Sequence, residues 1–170
     1  MPDFLTLSEF KDYMQVTWTE DDTTFTALLD AAESYLADPD NGILGRPVIT
    51  TAFSEEFDSL PEVRIAHPDG ASITTVTYTD TDGQAQTLGD IFRLKGDCLV
   101  LNYGETWPAH IAPVTVAYSA GFATAPQAIK TAGYFYAASL FEQRDSEKMN
   151  PETLRRVIAM MVAGYRRIGL

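Results

Sequence analysis

The spacing of apolar residues changes twice along this 170-residue chain. Near both ends apolar residues recur three or four positions apart, as at Phe25, Leu28 and Leu29, which is the period of a helix. In the middle, apolar and polar residues alternate, as in 114–118, which is the period of a half-buried strand. A segment can present an apolar face at only one of these periods. The chain is therefore predicted to be α+β, a small helical bundle from both chain ends with an antiparallel β-sheet insertion in the middle.

Capping residues and the change of period give the predicted boundaries. Helices are predicted over 6–16, 20–37, 126–144 and 151–168, and the β insertion over 47–118. Thr6 and Glu9 form a capping box, in which the Thr6 hydroxyl accepts an amide hydrogen and the Glu9 side chain bonds back. Pro126 and Pro151 suit the first turn of a helix. We expect all of these elements to belong to a single domain of residues 1–170, since a chain of this length can hold a core without disulfides.

The last two helices are predicted to bury one apolar face each. For the third helix this face is Ile129, Ala132, Gly133, Tyr136 and Leu140. For the fourth it is Leu154, Val157, Ile158, Met161 and Tyr165. Gly133 lowers helix propensity, but the missing side chain would permit another element to approach closely.

Turn residues divide the β insertion into hairpins. The pair Asp82-Gly83 separates two runs of strand-forming residues and is the strongest hairpin signal in the chain. Gly96 lies between 92–94 and 99–101, which predicts a second hairpin. Residues 63–65 alternate in polarity, and we predict a further strand there.

The net charge of −12 is unevenly distributed. Residues 1–60 hold thirteen acids against Lys11 and Arg46, and 61–125 hold seven acids against three bases. Residues 126–170 hold seven bases against four acids. This asymmetry indicates different partners for the two ends, although solvated acidic faces that keep the protein soluble would produce the same pattern. The acidic part argues against nucleic-acid binding, which requires lysine and arginine to neutralise phosphates.

Residues that could perform chemistry are few and scattered. His67, His110 and Cys98 are too far apart in sequence to suggest a catalytic triad or a zinc site. Asp80 to Gly83 begin like a calcium loop, but strands on both sides favour a hairpin turn. We therefore predict no catalytic, cofactor-binding or metal site, and no enzymatic activity. No secretory signal and no membrane span is recognisable, so we expect the protein to stay in the cytoplasm or to be built into a particle there.

Several residues instead suit contact with another protein. Trp107 lies in a loop between two predicted strands, where it either closes the end of the sheet or anchors a neighbour. The last predicted helix carries the other candidate partner-binding residues, Arg155, Arg156, Tyr165, Arg166 and Arg167. Arginine on the rim of a helix is well suited to carboxylate partners, although solvated charge at a helix end would look the same.

The order of the elements and several local strings resemble the head-tail connector (adaptor, head-completion) proteins of tailed bacteriophages and their gene-transfer-agent relatives. The strings are 7–11, 28–35, 76–83, Trp107-Pro108, 114–122, 126–130, 140–144 and 165–167. Together they span nearly the whole chain. This family has two N-terminal helices, a β insert and a C-terminal helical pair, and it carries no catalytic residues.

The resemblance implies a structural virion protein of the phage neck, assembled in the cytoplasm of the host bacterium. Twelve copies would form a ring under the portal protein, extend the DNA channel and present a surface to a stopper or tail-completion protein. DNA would pass through the channel without specific binding, because an acidic wall repels phosphates. Two alternatives remain: another neck protein, such as a stopper or tail terminator, or a small-ligand-binding or enzymatic domain.

Overall fold

The computed structural model describes residues 4–142 and 151–167. It contains helices α1 (Leu7–Met14) and α2 (Asp22–Ala37), strands β1 (Thr51–Phe57), β2 (Ser72–Thr79), β3 (Ala85–Thr87), β4 (Phe92–Lys95), β5 (Cys98–Leu101) and β6 (Ile111–Ala120), and helices α3 (Gln127–Glu142) and α4 (Pro151–Met161). The predicted α+β class is confirmed, because the N-terminal helix α2 packs against the C-terminal helix α3 and the strands come between these two helices in the sequence. The predicted helix end at 144 lies outside the described residues, whereas α4 ends at Met161, before the predicted end at 168.

The chain forms two compact units, each with its own core. The helical unit comprises the described residues up to Ile49 and from Phe122 onward, and the sheet unit is Thr50–Gly121. Large buried side chains of the helical unit are Phe10, Phe25, Leu29, Leu36, Leu44, Ile129, Ile158 and Val162. Those of the sheet unit are Leu60, Val63, Ile65, Val76, Leu99, Val114, Val116 and Tyr118.

Close packing on α3 depends on Gly133. A Cβ at this position would lie 2.6 Å from Cδ1 of Leu5 and 3.3 Å from Cδ1 of Leu36. Both leucines are buried, so neither side chain can move away freely. The glycine therefore permits the close approach that the sequence suggested.

The buried face of α3 differs from the predicted one. Tyr136 and Leu140 belong to the predicted face but are only half-buried, whereas Tyr134 and Ala137 are buried. The reason is that α3 contacts α1, α2 and α4, so its burial extends around more than one stripe. A single apolar period describes only a helix that packs on one side.

The predicted capping box at α1 is half correct. The Thr6 hydroxyl oxygen accepts a hydrogen bond from the N–H of Glu9 at 3.3 Å. The Glu9 carboxylate, however, bonds to the Tyr134 hydroxyl and to Lys130 Nζ, the latter at 2.9 Å. The Thr6 N–H instead donates to the Tyr134 hydroxyl at 3.3 Å. In a capping box the Glu9 carboxylate would accept the hydrogen bond from the Thr6 N–H. Here the Tyr134 hydroxyl on α3 accepts it instead.

Strand β6 is central in the main sheet, whose order is β1-β6-β2-β3 with every neighbouring pair antiparallel. The predicted hairpin at Asp82-Gly83 is confirmed, since it joins β2 to β3. Asp80 stabilises this turn by accepting hydrogen bonds from the N–H groups of Asp82 and Gln84. Strands β4 and β5 form the second predicted hairpin, which is a separate two-stranded sheet.

The prediction of a strand at 63–65 is wrong, although the alternation is real. Val63 and Ile65 are buried and Arg64 is exposed between them. Only Arg64 makes a bridge, an antiparallel one to Cys98. The segment is held by single backbone bonds on either side of that bridge, including one from the N–H of Ile65 to the carbonyl of Asp97 at 2.9 Å.

Candidate interaction surfaces

Helix α4 has one buried and one exposed face. Leu154, Ile158 and Val162, spaced four residues apart, are buried in the core of the helical unit. The exposed face carries Arg155, Arg156, Val157 and Met160, and the Met160 side chain is 73% exposed. This face therefore combines two guanidinium groups with exposed apolar surface, and its role in binding a partner stays a prediction.

Arg166 and Arg167 do not lie on α4, contrary to the prediction. The helix ends at Met161, and a single 3-10 turn around Gly164 follows, because glycine is a poor helix former. Arg166 is extended, with φ −70 and ψ 131, and its side chain is exposed. The N–H of Arg167 donates to the carbonyl of Leu44 at 2.9 Å, which ties this segment to the loop after α2. The four arginines thus form two separate pairs.

Tyr165 is half-buried within the helical unit. Its ring lies edge-on to Phe122 with the ring centroids 6.1 Å apart. The Arg46 guanidinium lies 4.6 Å from the centroid of the same Phe122 ring. The Tyr165 ring therefore takes part in packing, and its role in binding a partner stays a prediction.

Trp107 lies in the loop between β5 and β6, is half-buried, and packs against the core of the sheet unit. His110 holds this loop in place. The N–H of Leu60 donates to His110 Nε2 at 3.2 Å, and His110 Nδ1 lies 3.0 Å from the carbonyl of Pro108. A tautomer with the hydrogen on Nδ1 satisfies both bonds. His110 is therefore engaged in loop structure.

The other candidates for chemistry are also engaged. Cys98 Sγ donates to a carboxylate oxygen of Asp97 at 3.2 Å, and this hydrogen bond raises the pKa of the thiol, which favours its unreactive protonated form. The His67 side chain is buried with its ring centroid 4.6 Å from that of Phe53, and the backbone N–H of His67 donates to the Tyr118 hydroxyl at 3.3 Å. Across 4–142 and 151–167, no three His, Cys, Asp or Glu side chains come together in a way that could hold a metal ion. Within the same ranges no helix is long and apolar enough to cross a bilayer.

The sheet unit carries a basic surface that the sequence analysis did not predict. Thr50–Gly121 holds ten acids and only three bases, Arg64, Arg93 and Lys95. Lys95 is paired with Cys98 across the β4–β5 hairpin, and Arg64 bridges to the other edge of Cys98. Residues opposite one another in antiparallel strands point to the same side of the sheet.

Arg93 lies two residues before Lys95 on β4 and so also points to this side. We call Arg64, Arg93 and Lys95 the basic face. The alternation of Phe92, Arg93, Leu94 and Lys95 is the sequence signal that places Arg93 and Lys95 together, and Phe92 and Leu94 pack toward the core. No local sequence pattern indicates that Arg64 belongs to the basic face, because Arg64 lies far from Arg93 and Lys95 in the sequence.

A cleft of about 370 Å³ opens beside α1 and α3 in the helical unit. It is lined by Tyr13, Met14, Phe135, Ala138, Ser139 and Glu142. This lining contains no histidine, cysteine or lysine, and the Ser139 hydroxyl donates to the carbonyl of Phe135 at 2.8 Å. The lining of the cleft is about equally polar and apolar.

Comparison with known proteins shows similarity in fold. The sequence matches no protein-family model and no curated protein. A chain in the neck of an empty GTA particle, computed with C6 symmetry, is 18% identical with a TM-score of 0.68. A chain in the virion of a native gene transfer agent (GTA) particle is 18% identical with a TM-score of 0.69. A chain in the neck of a native GTA particle, computed with C12 symmetry, is 17% identical with a TM-score of 0.61.

Each of these similarities covers 98% of this chain and 91% of the other chain. Both units of the fold therefore take part in the match. At identities of 17–18%, the shared property is the fold.

Proposed function

We propose that this chain is a structural subunit of the neck of a tailed-phage-like particle, where it forms a connector ring beneath the portal. The ring extends the DNA channel and joins the head to a stopper or tail-completion protein. One observation carries the proposal: the fold corresponds to chains of GTA necks and virions over nearly the full length of both chains. A match limited to one unit would have supported only a shared module.

Symmetry supports the ring. Two of the similar chains belong to necks computed with C6 and C12 symmetry. Subunits in a closed ring contact one another through two different surfaces, one on each side. We propose twelve copies, which satisfies both symmetries.

The exposed face of α4 is the proposed contact with the portal. Arg155 and Arg156 are displayed beside Val157 and Met160, while the opposite face holds the helix in its own core. Truncating a desolvated arginine that is paired with a carboxylate costs about 2–5 kcal/mol. Twelvefold repetition would make even weaker contacts sufficient to hold the joint. Arg166, Arg167, Tyr165 and Trp107 remain further candidates.

A structural role also agrees with the electrostatics. The chain has a net charge of −12, so a channel wall built from it would repel DNA phosphates and let the duplex slide. His110 and Cys98 are engaged in hydrogen bonds within the fold, which supports a non-enzymatic protein.

The proposal is tested by attachment to heads. Heads that carry a portal but lack this chain are mixed with purified protein, and bound protein is quantified after sedimentation. We expect wild type to bind, and the double variant Arg155→Glu, Arg156→Glu to bind at least tenfold less while it unfolds at the same denaturant concentration. A matched control adds acid elsewhere on an exposed helix surface, with Ala27→Glu and Ala31→Glu on α2.

The control variant should bind as wild type does. Normal binding by the arginine variant would place the portal contact elsewhere. If wild type attaches to isolated tails and fails to attach to portal-bearing heads, the subunit is a stopper or tail terminator and the connector proposal is wrong.

A further inference from the structure

Three strands of the sheet unit have an open edge: β3, which is three residues long and uncharged, and the longer strands β1 and β4. β1 is the last strand of the main sheet, and β4 pairs only with β5. Among the described residues, the backbone groups of Ala52–Phe57 bond only to β6, and those of Phe92–Lys95 only to β5. Open edges attract strands from other chains, and proteins either block them or use them.

The open edges of β1 and β4 carry opposite charges. Arg93 and Lys95 are exposed on β4. Glu56 is exposed on β1, and Asp58 is exposed directly after it. Within the described residues, none of these four side chains has an ion-pair partner. Glu55, by contrast, accepts hydrogen bonds from the N–H of Ala66 at 3.2 Å.

We propose that neighbouring copies in the ring join by pairing β4 of one copy with β1 of the next in antiparallel orientation. The inference rests on the proposed ring and names the surfaces that close it. The register that fits is Arg93 opposite Asp58, Leu94 opposite Phe57, and Lys95 opposite Glu56.

The pleat supports this register. Leu94 and Phe57 both pack against the core of the sheet unit, so they continue one apolar side across the junction. The charged residues on either side of them alternate to the other side. Shifting the register by one residue would place charged side chains opposite apolar ones on the wrong side of the sheet.

A second copy suits these edges better than other acidic or basic partners. Pairing β4 with β4, or β1 with β1, would set like charges opposite each other, which is destabilising. The contact is therefore between different surfaces, which is the requirement for a ring. Nucleic acid is a poor partner, because the three bases of the basic face stand among ten acids in the same unit.

A disulfide trap tests the contact. Cβ atoms of opposite residues in antiparallel strands are about 5 Å apart, close enough for a disulfide after modest adjustment. Lys95→Cys and Glu56→Cys are combined in a Cys98→Ser background, and the protein is oxidised gently at high concentration. We expect a ladder of covalent oligomers on non-reducing gels, extending to a closed ring. A variant with only one of the two introduced cysteines should give dimers at most.

The matched control moves one cysteine to the third open edge, with Lys95→Cys combined with Thr87→Cys on β3. It should give no ladder, and a ladder equal to that of the 95–56 pair would overturn the proposal. Absence of a 95–56 ladder would also overturn it. If wild type still attaches to heads in that case, the proposed function stands and only this contact is wrong.

Charge exchange gives an independent measurement. Arg93→Glu with Lys95→Glu, and separately Glu56→Lys with Asp58→Lys, should each lower the ring population on heads at least tenfold. The variant with all four changes should regain it, since the charges are again complementary. Normal rings from either double variant, or no recovery in the fourfold variant, would refute the pairing.

Discussion

Tyr134 connects the start of the chain to α3 through one hydroxyl group. The hydroxyl donates to the Glu9 carboxylate and accepts from the N–H of Thr6, and the ring is buried. The bond from Tyr134, together with that from Lys130, lowers the pKa of the Glu9 carboxyl. Burial, followed by the bond to Glu9, raises the pKa of Tyr134 to about 12. The ionised carboxylate and the protonated phenol are therefore the paired species at neutral pH.

The change Tyr134→Phe should lower the free energy of unfolding by about 1–2 kcal/mol. It removes one charge-assisted hydrogen bond and leaves the Thr6 N–H without its acceptor. Chemical denaturation at neutral pH measures the effect. Tyr136→Phe is the matched control, because the Tyr136 ring stacks on Tyr35 at 4.5 Å and keeps that contact without its hydroxyl. Equal losses in both variants would contradict the role given to the Tyr134 hydroxyl.

The difference in stability between wild type and Tyr134→Phe should depend on pH. Because folding lowers the pKa of Glu9, its ionised form stabilises the protein above the unfolded pKa, near 4.5, and this contribution is lost as the pH falls through the folded pKa. The stability difference between wild type and Tyr134→Phe should therefore narrow below about pH 4.5. Denaturation curves at several acidic pH values measure it, and a constant difference would reject the linkage.

At the scale of elements, the C-terminal end of α2 is built around a tight turn. The helix ends at Ala37, and Asp38 accepts hydrogen bonds from the N–H groups of Asp40 and Asn41 at 2.9 and 2.8 Å. These two bonds, that of Asn41 first, lower the pKa of the Asp38 carboxyl. The N–H of Gly42 then donates to the carbonyl of Asp38 at 2.9 Å, which brings the chain back against the helix.

Gly42→Ala should destabilise the protein by about 1–3 kcal/mol, the usual cost of overpacking. The new Cβ would lie 2.5 Å from the carbonyl oxygen of Asp38 and 2.9 Å from that of Leu36, and backbone atoms cannot move aside cheaply. Thermal and denaturant unfolding measure the change. Gly89→Ala serves as the control, because a Cβ there meets nothing within 4 Å. An unchanged midpoint for the Gly42 variant would show that the turn can relax.

On the scale of the whole molecule, the two cores share no residue. The core of the sheet unit is formed entirely within Thr50–Gly121, and the core of the helical unit lies outside that range. The excised fragment 50–121 should therefore fold by itself, with a β-type circular dichroism spectrum and a cooperative urea transition. Its stability should be modest, because small domains bury a smaller share of their surface.

The helical unit permits the complementary experiment. Ile49 and Phe122 form a bridge, and the N–H of Phe122 donates to the carbonyl of Val48 at 3.2 Å. Replacing 50–121 with a short Gly-Ser linker should leave a helical protein that still unfolds cooperatively. A non-cooperative transition in either product would mean that the two cores stabilise each other.

The sequence alone determined the features that depend on neighbouring residues. Apolar period placed helices at both ends and strands in the middle, and Asp82-Gly83 defined a hairpin. The cap at Thr6 was also predictable, because the bond from the Glu9 N–H spans only three residues. Local backbone conformation and turn chemistry act over this range, so a single sequence contains enough information about them.

Only the tertiary structure decided which distant groups meet. Glu9 and Tyr134 lie 125 residues apart in sequence, and no local motif pairs them. Arg64 joins Arg93 and Lys95 in the basic face only because its segment bridges to β5. Helix α4 ends at Met161, and the turn that follows brings the chain back to Leu44. Arg166 and Arg167 therefore lie outside the helix, although the local apolar spacing predicted that the helix would include them. In each case the deciding contact joins residues that are distant in sequence, and such long-range contacts override local preference.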